Sequence, residues 1–397
     1  MEQIPQSAYT KTTKTSWFSR IGGSVKGIFI GFLLFIASFI LLYWNEGRED
    51  LSKTADDATP IQATEAVVES LNGTLVGASG ILESTETVGD DMFLRPSAYL
   101  SVSRKVEMYA WVEKTSSQTD TKLGGSQETT TEYSYEKDWA NTPTDSSSFE
   151  VPVGHTNPAK QIDDTTKTVS TASIGNFALE PASLGLVGSQ GVDLSFENVT
   201  LTEEAKFAGG YIFVGRGSIE SPWVGDMRIS YSVVPSGQEV IVLGKQQGQK
   251  LVPFFTKDGG KIYRAFKGDL DTAVSELSSE HKTSTWIFRV IGFLMMWMGL
   301  LSIFAPLSVL LDVLPILGSI SRTAVKFVTF FVSLALSIVI IIISMIFHNI
   351  LAVLAVALVV AGGLGVLIKK KMKEKKSGGK PVEKVEPEVK VEEKKEE

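Results

Sequence analysis

"FILLYWNEGRED", residues 39–50, passes from unbroken hydrocarbon to dense charge within a few positions. Two readings compete for it: a signal segment awaiting removal, or the end of a retained membrane anchor. A secretory signal carries an apolar run of about 7–15 residues and then a small-residue cleavage site. Here the apolar run covers 27–44, closes on Tyr43 and Trp44, and is followed by no A-x-A-like site. Paired aromatics of this kind belong at a membrane–water boundary. The stretch reads as a retained anchor.

Three further stretches are almost free of charge: 286–305, 324–347 and 350–368. Each is close to the ~20 residues that carry a helix across a ~30 Å hydrocarbon core. Lys11, Lys14, Arg20 and Lys26 precede the first run, and Lys369, Lys370, Lys371, Lys373, Lys375 and Lys376 follow the last. Basic flanks mark the cytoplasmic side. Both ends are therefore expected in the cytosol, which an even number of crossings requires. Segment 1–26 is expected to be cytoplasmic and 45–285 to form an extracytoplasmic or lumenal domain. His348 and Asn349 make an outer turn, and 369–397 a charged, disordered tail. Pro306, Pro315 and Gly318 interrupt 306–323, which reads as an interfacial or re-entrant cytoplasmic connection.

The chain has 397 residues, a net charge of −7 and no cysteine. Disulfides, thiol catalysis and zinc–thiolate centres are thereby excluded. So modest a charge gives no reason to expect nucleic acid.

Within 45–285 the stretch 98–114 alternates as a strand does. Val102, Val106, Met108, Ala110 and Val112 fall on one face with Arg104 as the exception. Lys105, Glu107, Tyr109, Trp111 and Glu113 fall on the other. A second strand candidate, "EYSYEKDW", pairs with it as a long hairpin whose tip lies at Gly124-Gly125. Tyr109 and Trp111 then meet Tyr133, Tyr135 or Trp139 across the strands. "DMRISYSVV" and "QEVIVLG", joined by "PSG", read as a second hairpin, and "KLVPFFT" with "KIYRAF" as a third. Segments 45–70 and 200–207 look more helical. Asp269 is positioned to cap a helix with Leu270, Ala273, Val274 and Leu277 on one face, leading directly into Trp286. The fold class expected is α+β: four membrane helices and a large, mainly antiparallel-sheet domain between the first two.

Gly27 and Gly31 form a G-x-x-x-G pair. Ser333, Ser337 and Ser344 share a face of the third run, and Gly362 and Gly365 belong to a small-residue surface on the fourth. Such surfaces serve internal packing or self-association. Arg289 and Lys326 lie within a turn or so of a span end and are expected to snorkel. Asp312 is the single acid of its connection, with Arg322, a backbone end or a partner as its expected mate. The three histidines, His155, His281 and His348, carry no metal-binding spacing, and no nucleophile elbow or phosphate loop occurs. No enzyme, metal or cofactor is expected.

The order of several segments resembles the transmembrane protein 43 (LUMA) family. They are "NEGR" (Asn45, Glu46, Gly47, Arg48), "RKVEMYAWVE" (104–113, with Glu107, Tyr109 and Trp111), "YSYEKDW" (133–139) and "GHTNP" (with His155, Asn157 and Pro158). "VGDMRISYS" (with Gly225 and Asp226), "LVPFFTK" (251–257), "TWIFRVIGFLMMWMGL" (285–300) and "LDVLP" (with Asp312 and Pro315) complete the set. The resemblance implies four spans, a large lumenal domain, self-association, lamina-associated partners, and residence in the endoplasmic reticulum and inner nuclear membrane. It implies no catalytic residue. The expected function is a non-enzymatic membrane organiser that homo-oligomerises through its spans, contacts membrane lipids and binds protein partners through its outer domain. A ligand sensor coupled to the spans is the first alternative, and a channel or transporter the second. The membrane is a bacterial inner membrane or, in a eukaryote, the endoplasmic reticulum and inner nuclear membrane.

Overall fold

Ser16 starts the first long helix: its side chain accepts a hydrogen bond from the Ser19 amide and caps α1, Trp17–Glu46. The computed structural model describes residues 8–313 and 315–348. Asp50 caps a short helix, α2, Leu51–Asp56. Asp269 caps α3, Leu270–Leu311, by accepting from the Thr272 amide, as its position in the sequence predicts. The last described helix, α4, is Pro315–Phe347. Three of these helices, α1, α3 and α4, are long and apolar enough to cross a membrane. The fourth expected run, 350–368, lies outside the described residues, as do Asn349, Gly362, Gly365 and the tail.

The connection expected over 306–323 is corrected. Helix α3 runs through Pro306 to Leu311, and α4 starts at Pro315. Proline removes one backbone donor, and neighbouring helices keep such a helix intact. At the first position of α4 a proline fits, because that amide has no intrahelical partner. What remains between the helices is a tight connection around Asp312.

Helices α1 and α3 pack antiparallel. Leu42 lies over Gly292, while Gly31 and Gly299 let the two backbones touch. The first turns of α3 seat Leu270, Ala273, Val274 and Leu277 on a cluster that includes Ala55, Ile241, Leu243 and Phe266. One helix therefore joins the core of the sheet-rich domain to the apolar bundle.

That domain holds two main sheets. In the second, Gln238–Gln247 pairs with both Leu75–Glu83 and Lys250–Val252. Leu75–Glu83 pairs with Ala172–Ile174, which pairs with Phe177–Leu179, and that strand returns to Lys250–Val252. The ring closes around Val76, Leu82, Ile174, Phe177, Val242 and Leu251. The first sheet is built on the strand Tyr99–Thr121 and packs Val106, Met108, Ile212, Ile229 and Val233 beneath it.

The long hairpin forms as predicted. Tyr99–Thr121 pairs with Gln127–Ala140 across a tip where Gly124 and Gly125 both take positive φ. The expected hairpin of "DMRISYSVV" with "QEVIVLG" does not form. Met227–Pro235 joins the first sheet and Gln238–Gln247 the second, so "PSG" is a crossing between layers. A third pairing, Phe254–Phe255 with Lys261–Ile262, is present. The helical reading of 200–207 is also corrected: Ala205–Ala208 is a strand paired with Tyr211–Val214. Of 45–70, only the end of α1, α2 and a short 3-10 turn at Glu69–Leu71 are helical, and Thr59–Gln62 is a strand.

The N-terminal segment, expected apart from the outer domain, forms the strand Ala8–Thr15 along the hairpin, from Ala8 opposite Ser134 to Thr15 opposite Gln127. The hairpin tip reaches the far end of the bundle. There the Gly124 amide donates to the Val313 carbonyl at 3.2 Å, and Arg20 donates to the Gly125 carbonyl. A polar ribbon with open edges cannot lie in hydrocarbon. This pairing and a bilayer around 27–44 exclude one another.

Candidate functional site

The residues of "NEGR" stand where α1 ends, and each has a partner on another helix. Glu46 accepts from Arg289 twice, Oε1 from Nε at 2.8 Å and Oε2 from Nη2 at 2.7 Å. Asn45 is 1% exposed and donates from Nδ2 to the Thr285 carbonyl at 3.1 Å. Arg48 donates from Nη2 to Ser284 Oγ at 2.9 Å and Thr285 Oγ1 at 3.1 Å, and its guanidinium lies 4.9 Å from the Phe288 ring centre. At Gly47 the His348 ring comes so near that a Cβ would sit 2.2 Å from its Nε2. The quartet clamps α1 to α3 and receives the end of α4. Arg289, expected to snorkel, is held by Glu46.

A second clamp closes the opposite end. Asp312 is fully buried and accepts from both Arg20 of α1 and Arg322 of α4. Trp17 Nε1 donates to the Val309 carbonyl at 2.8 Å. The acid after α3 thus gathers all three long helices. Between the clamps, Ser344 donates to the Tyr43 carbonyl at 3.0 Å and Ser337 contacts Met296 Sδ at 3.5 Å. Ser333 is buried without a partner for its hydroxyl among the described residues.

The remaining motif residues form a polar-aromatic cluster on the hairpin. His155 is fully buried, stacks on Tyr135 at 3.8 Å between ring centres and meets Trp111 edge-on at 4.8 Å. Its Nδ1 lies 2.9 Å from the Val151 carbonyl, a contact that needs the Nδ1–H tautomer. Asn157 takes the place of a strand: Oδ1 accepts from the Trp111 amide at 2.7 Å and Nδ2 donates to the Trp111 carbonyl at 3.0 Å. Pro158 packs on Gly225, whose φ of +100° and lack of side-chain space both favour glycine. Asp226 accepts from the amides of Arg216, Gly217 and Trp223 and so shapes the loop between its strands. Tyr109 meets Trp139 as expected, with ring centres 5.3 Å apart. Arg104, the exception on the apolar face, pairs with buried Asp90 at 2.7 Å.

Burial costs the Glu107 carboxylate, but the hydrogen bond and charge of Arg228 outweigh that cost and hold its pKa below the usual value. Burial, reinforced by the Glu113 carboxylate, pushes the Tyr135 hydroxyl up to about 12. Tyr231 is raised for the same reason, through burial and Asp90. A phenol whose folded pKa is raised contributes stability that is complete below the unfolded value near 10 and is lost above it. The domain is therefore expected to lose stability as pH rises from about 10 to 12. Thermal melts across that range test this, and Tyr231→Phe should flatten the decline.

A sequence profile of the family described as Transmembrane protein 43 matches residues 108–350. The chain belongs to the transmembrane protein 43 family. Human transmembrane protein 43 is 28% identical over 369 residues, covering 87% of this chain and 90% of the human protein. The mouse protein is 27% identical over 354 residues, 83% of this chain and 86% of its own. The Drosophila melanogaster homolog is 27% identical over 284 residues, 68% and 74%. No solved structure matches.

In this transmembrane protein 43 family member the motif residues fall into three places: Asn45 to Arg48 at one end of the bundle, Asp312 and Pro315 at the other, and Glu107, Tyr109, Trp111, His155, Asn157, Pro158, Gly225 and Asp226 on or against the hairpin. Arg20, Gly292 and Gly299 escaped the sequence reading. Gly292 and Gly299 stand seven apart and so share a helix face, a signal present in the sequence. Arg20 had none, being 292 positions from Asp312.

Proposed function

We propose that this family member is a non-enzymatic membrane organiser: a rigid post of apolar helices that presents the sheet-rich domain to protein partners and self-associates through its spans. What supports the reading is how the motif residues are used. Glu46, Asn157, Asp226 and Asp312 spend their side chains inside the chain, in clamps and loop supports. In this proposal 350–368 is a fourth span, both termini are cytosolic, and the domain faces the periplasm, exterior or lumen, so that in a bilayer Ala8–Thr15 is parted from the hairpin it pairs with in the structure. The membrane is a bacterial inner membrane or the endoplasmic reticulum and inner nuclear membrane. The ligand-sensor alternative draws support from α3, which carries the domain core into the bundle without a break.

Self-association is assigned to the turn of α1 around Gly27, one turn before Gly31 meets α3. Among the described residues nothing lies within 4 Å of a Cβ placed there, whereas a Cβ at Gly31 would lie 2.7 Å from the Gly299 carbonyl. Gly27→Leu should leave the fold intact and abolish crosslinked dimers in native lipid. Gly31→Leu should instead destabilise the monomer by about 1–3 kcal/mol, the usual cost of overpacking. A wild-type protein that stays strictly monomeric in native lipid overturns this part of the proposal.

A further inference from the structure

In the proposed topology a bilayer lies between Ala8–Thr15 and the hairpin, so the strand Gln127–Ala140 loses its outer neighbour over 127–134. What is left there is thin. Tyr99–Thr121 pairs with Met227–Pro235 only as far as Met108, and beyond that residue the hairpin runs on as two strands. Two strands without a third are marginal in water. An edge strand also presents a row of unpaired amides and carbonyls, which proteins blunt with lysine, proline or a bulge. "QETTTEYS", 127–134, has no lysine and no proline, and its register is unbroken on both sides. Nothing along this edge discourages pairing. Its side chains favour one kind of strand. Glu128, Glu132 and, from the following loop, Glu150 supply three carboxylates, with no base inside 127–134. The strand seated there in the structure is basic. Lys11 Nζ lies 2.7 Å from Glu150, and Lys14 Nζ lies 3.6 Å from Glu128, which Lys122 also approaches at 3.4 Å. Tyr9 meets Tyr133 with ring centres 6.2 Å apart. Glu132 stands opposite Thr10 and has no ion pair among the described residues.

We propose that this edge takes up an extended, lysine-bearing strand of a partner protein on the domain's side of the membrane, paired antiparallel in the register that Ala8–Thr15 shows. Backbone hydrogen bonds supply most of the affinity, as in other cases of strand addition. Lysines opposite Glu128 and beside Glu150 select the partner. Exposed ion pairs are individually weak, so they choose between strands more than they hold one. The inference rests on the topology proposed above and names the kind of partner that the outer domain takes.

The chain has no cysteine, so disulfide trapping reads the site directly. Full-length protein carrying Thr130→Cys, in sealed vesicles with the domain outward, is given the synthetic peptide AYTKTTKT, the sequence of 8–15, bearing Thr12→Cys. Under mild oxidant the peptide should be trapped at Thr130→Cys and not at Thr119→Cys, on the other strand of the ribbon. Lys11→Glu with Lys14→Glu in the peptide should reduce trapping about tenfold, and Glu128→Lys with Glu150→Lys in the protein should restore it. Thr10→Lys in the peptide, opposite Glu132, should raise trapping about threefold. No trapping, or trapping indifferent to these charges, overturns the proposal and leaves the topology standing. A Thr130→Cys disulfide between two copies that shuts the peptide out gives the edge to a second copy and overturns it as well. A disulfide between Thr12→Cys and Thr130→Cys within one chain overturns the topology, and the open edge with it.

Discussion

Asp312→Ala should destabilise the helix bundle by about 3–5 kcal/mol, the cost of leaving buried charge without its counterion. The carboxylate is fully buried and holds Arg20 and Arg322 at once. Its removal leaves Arg20, whose side chain is 8% exposed, without its counterion. The burial of an intact ion pair is close to neutral overall, so the large effect belongs to breaking it. Asp312→Ala combined with Arg20→Met should recover part of the loss, and a double-mutant cycle would give the coupling. Thermal unfolding in detergent measures all three variants. An Asp312→Ala protein with unchanged stability would show that the lower clamp does not hold the helices together.

The second large effect concerns topology. Thr12 and Thr130 are register partners in the ribbon. With the domain outside the cytosol and the N-terminus within it, a bilayer separates them. Thr12→Cys with Thr130→Cys should then give no intramolecular disulfide in sealed membranes under oxidant, whereas a pair within the domain, Ser103→Cys with Ser232→Cys, should crosslink fully. Efficient crosslinking of the first pair would overturn the proposed topology and place the N-terminal strand with the hairpin on one side. The effect is all or none, because hydrocarbon admits no open-edged polar ribbon.

How legible this fold is in its sequence depends on the range of each interaction. The α3 cap and its first apolar face are local, and Asp269 with Leu270, Ala273, Val274 and Leu277 reads out correctly. The Gly124-Gly125 tip is equally local, and it sets the hairpin register that brings Tyr109 opposite Trp139. The "PSG" crossing misleads because a turn signal fixes chain reversal without choosing the sheet that each strand joins. Pro306 misleads for a related reason: propensity alone breaks a helix that packing against α1 and α4 sustains. The clamps were only half legible. "NEGR" and Asp312 stand out as charges at apolar borders, yet Glu46 and Arg289 are 243 positions apart.

Helix α3 is about 63 Å long at 1.5 Å per residue, rooted in a domain core at one end and held by the Asp312 clamp at the other. Such a rod acts as a lever. A tilt of about 5° imposed on the domain displaces the opposite end sideways by about 5 Å, as much as a whole helical turn. In the proposed topology, anything that leans on the sheets is thereby felt on the far side of the bilayer.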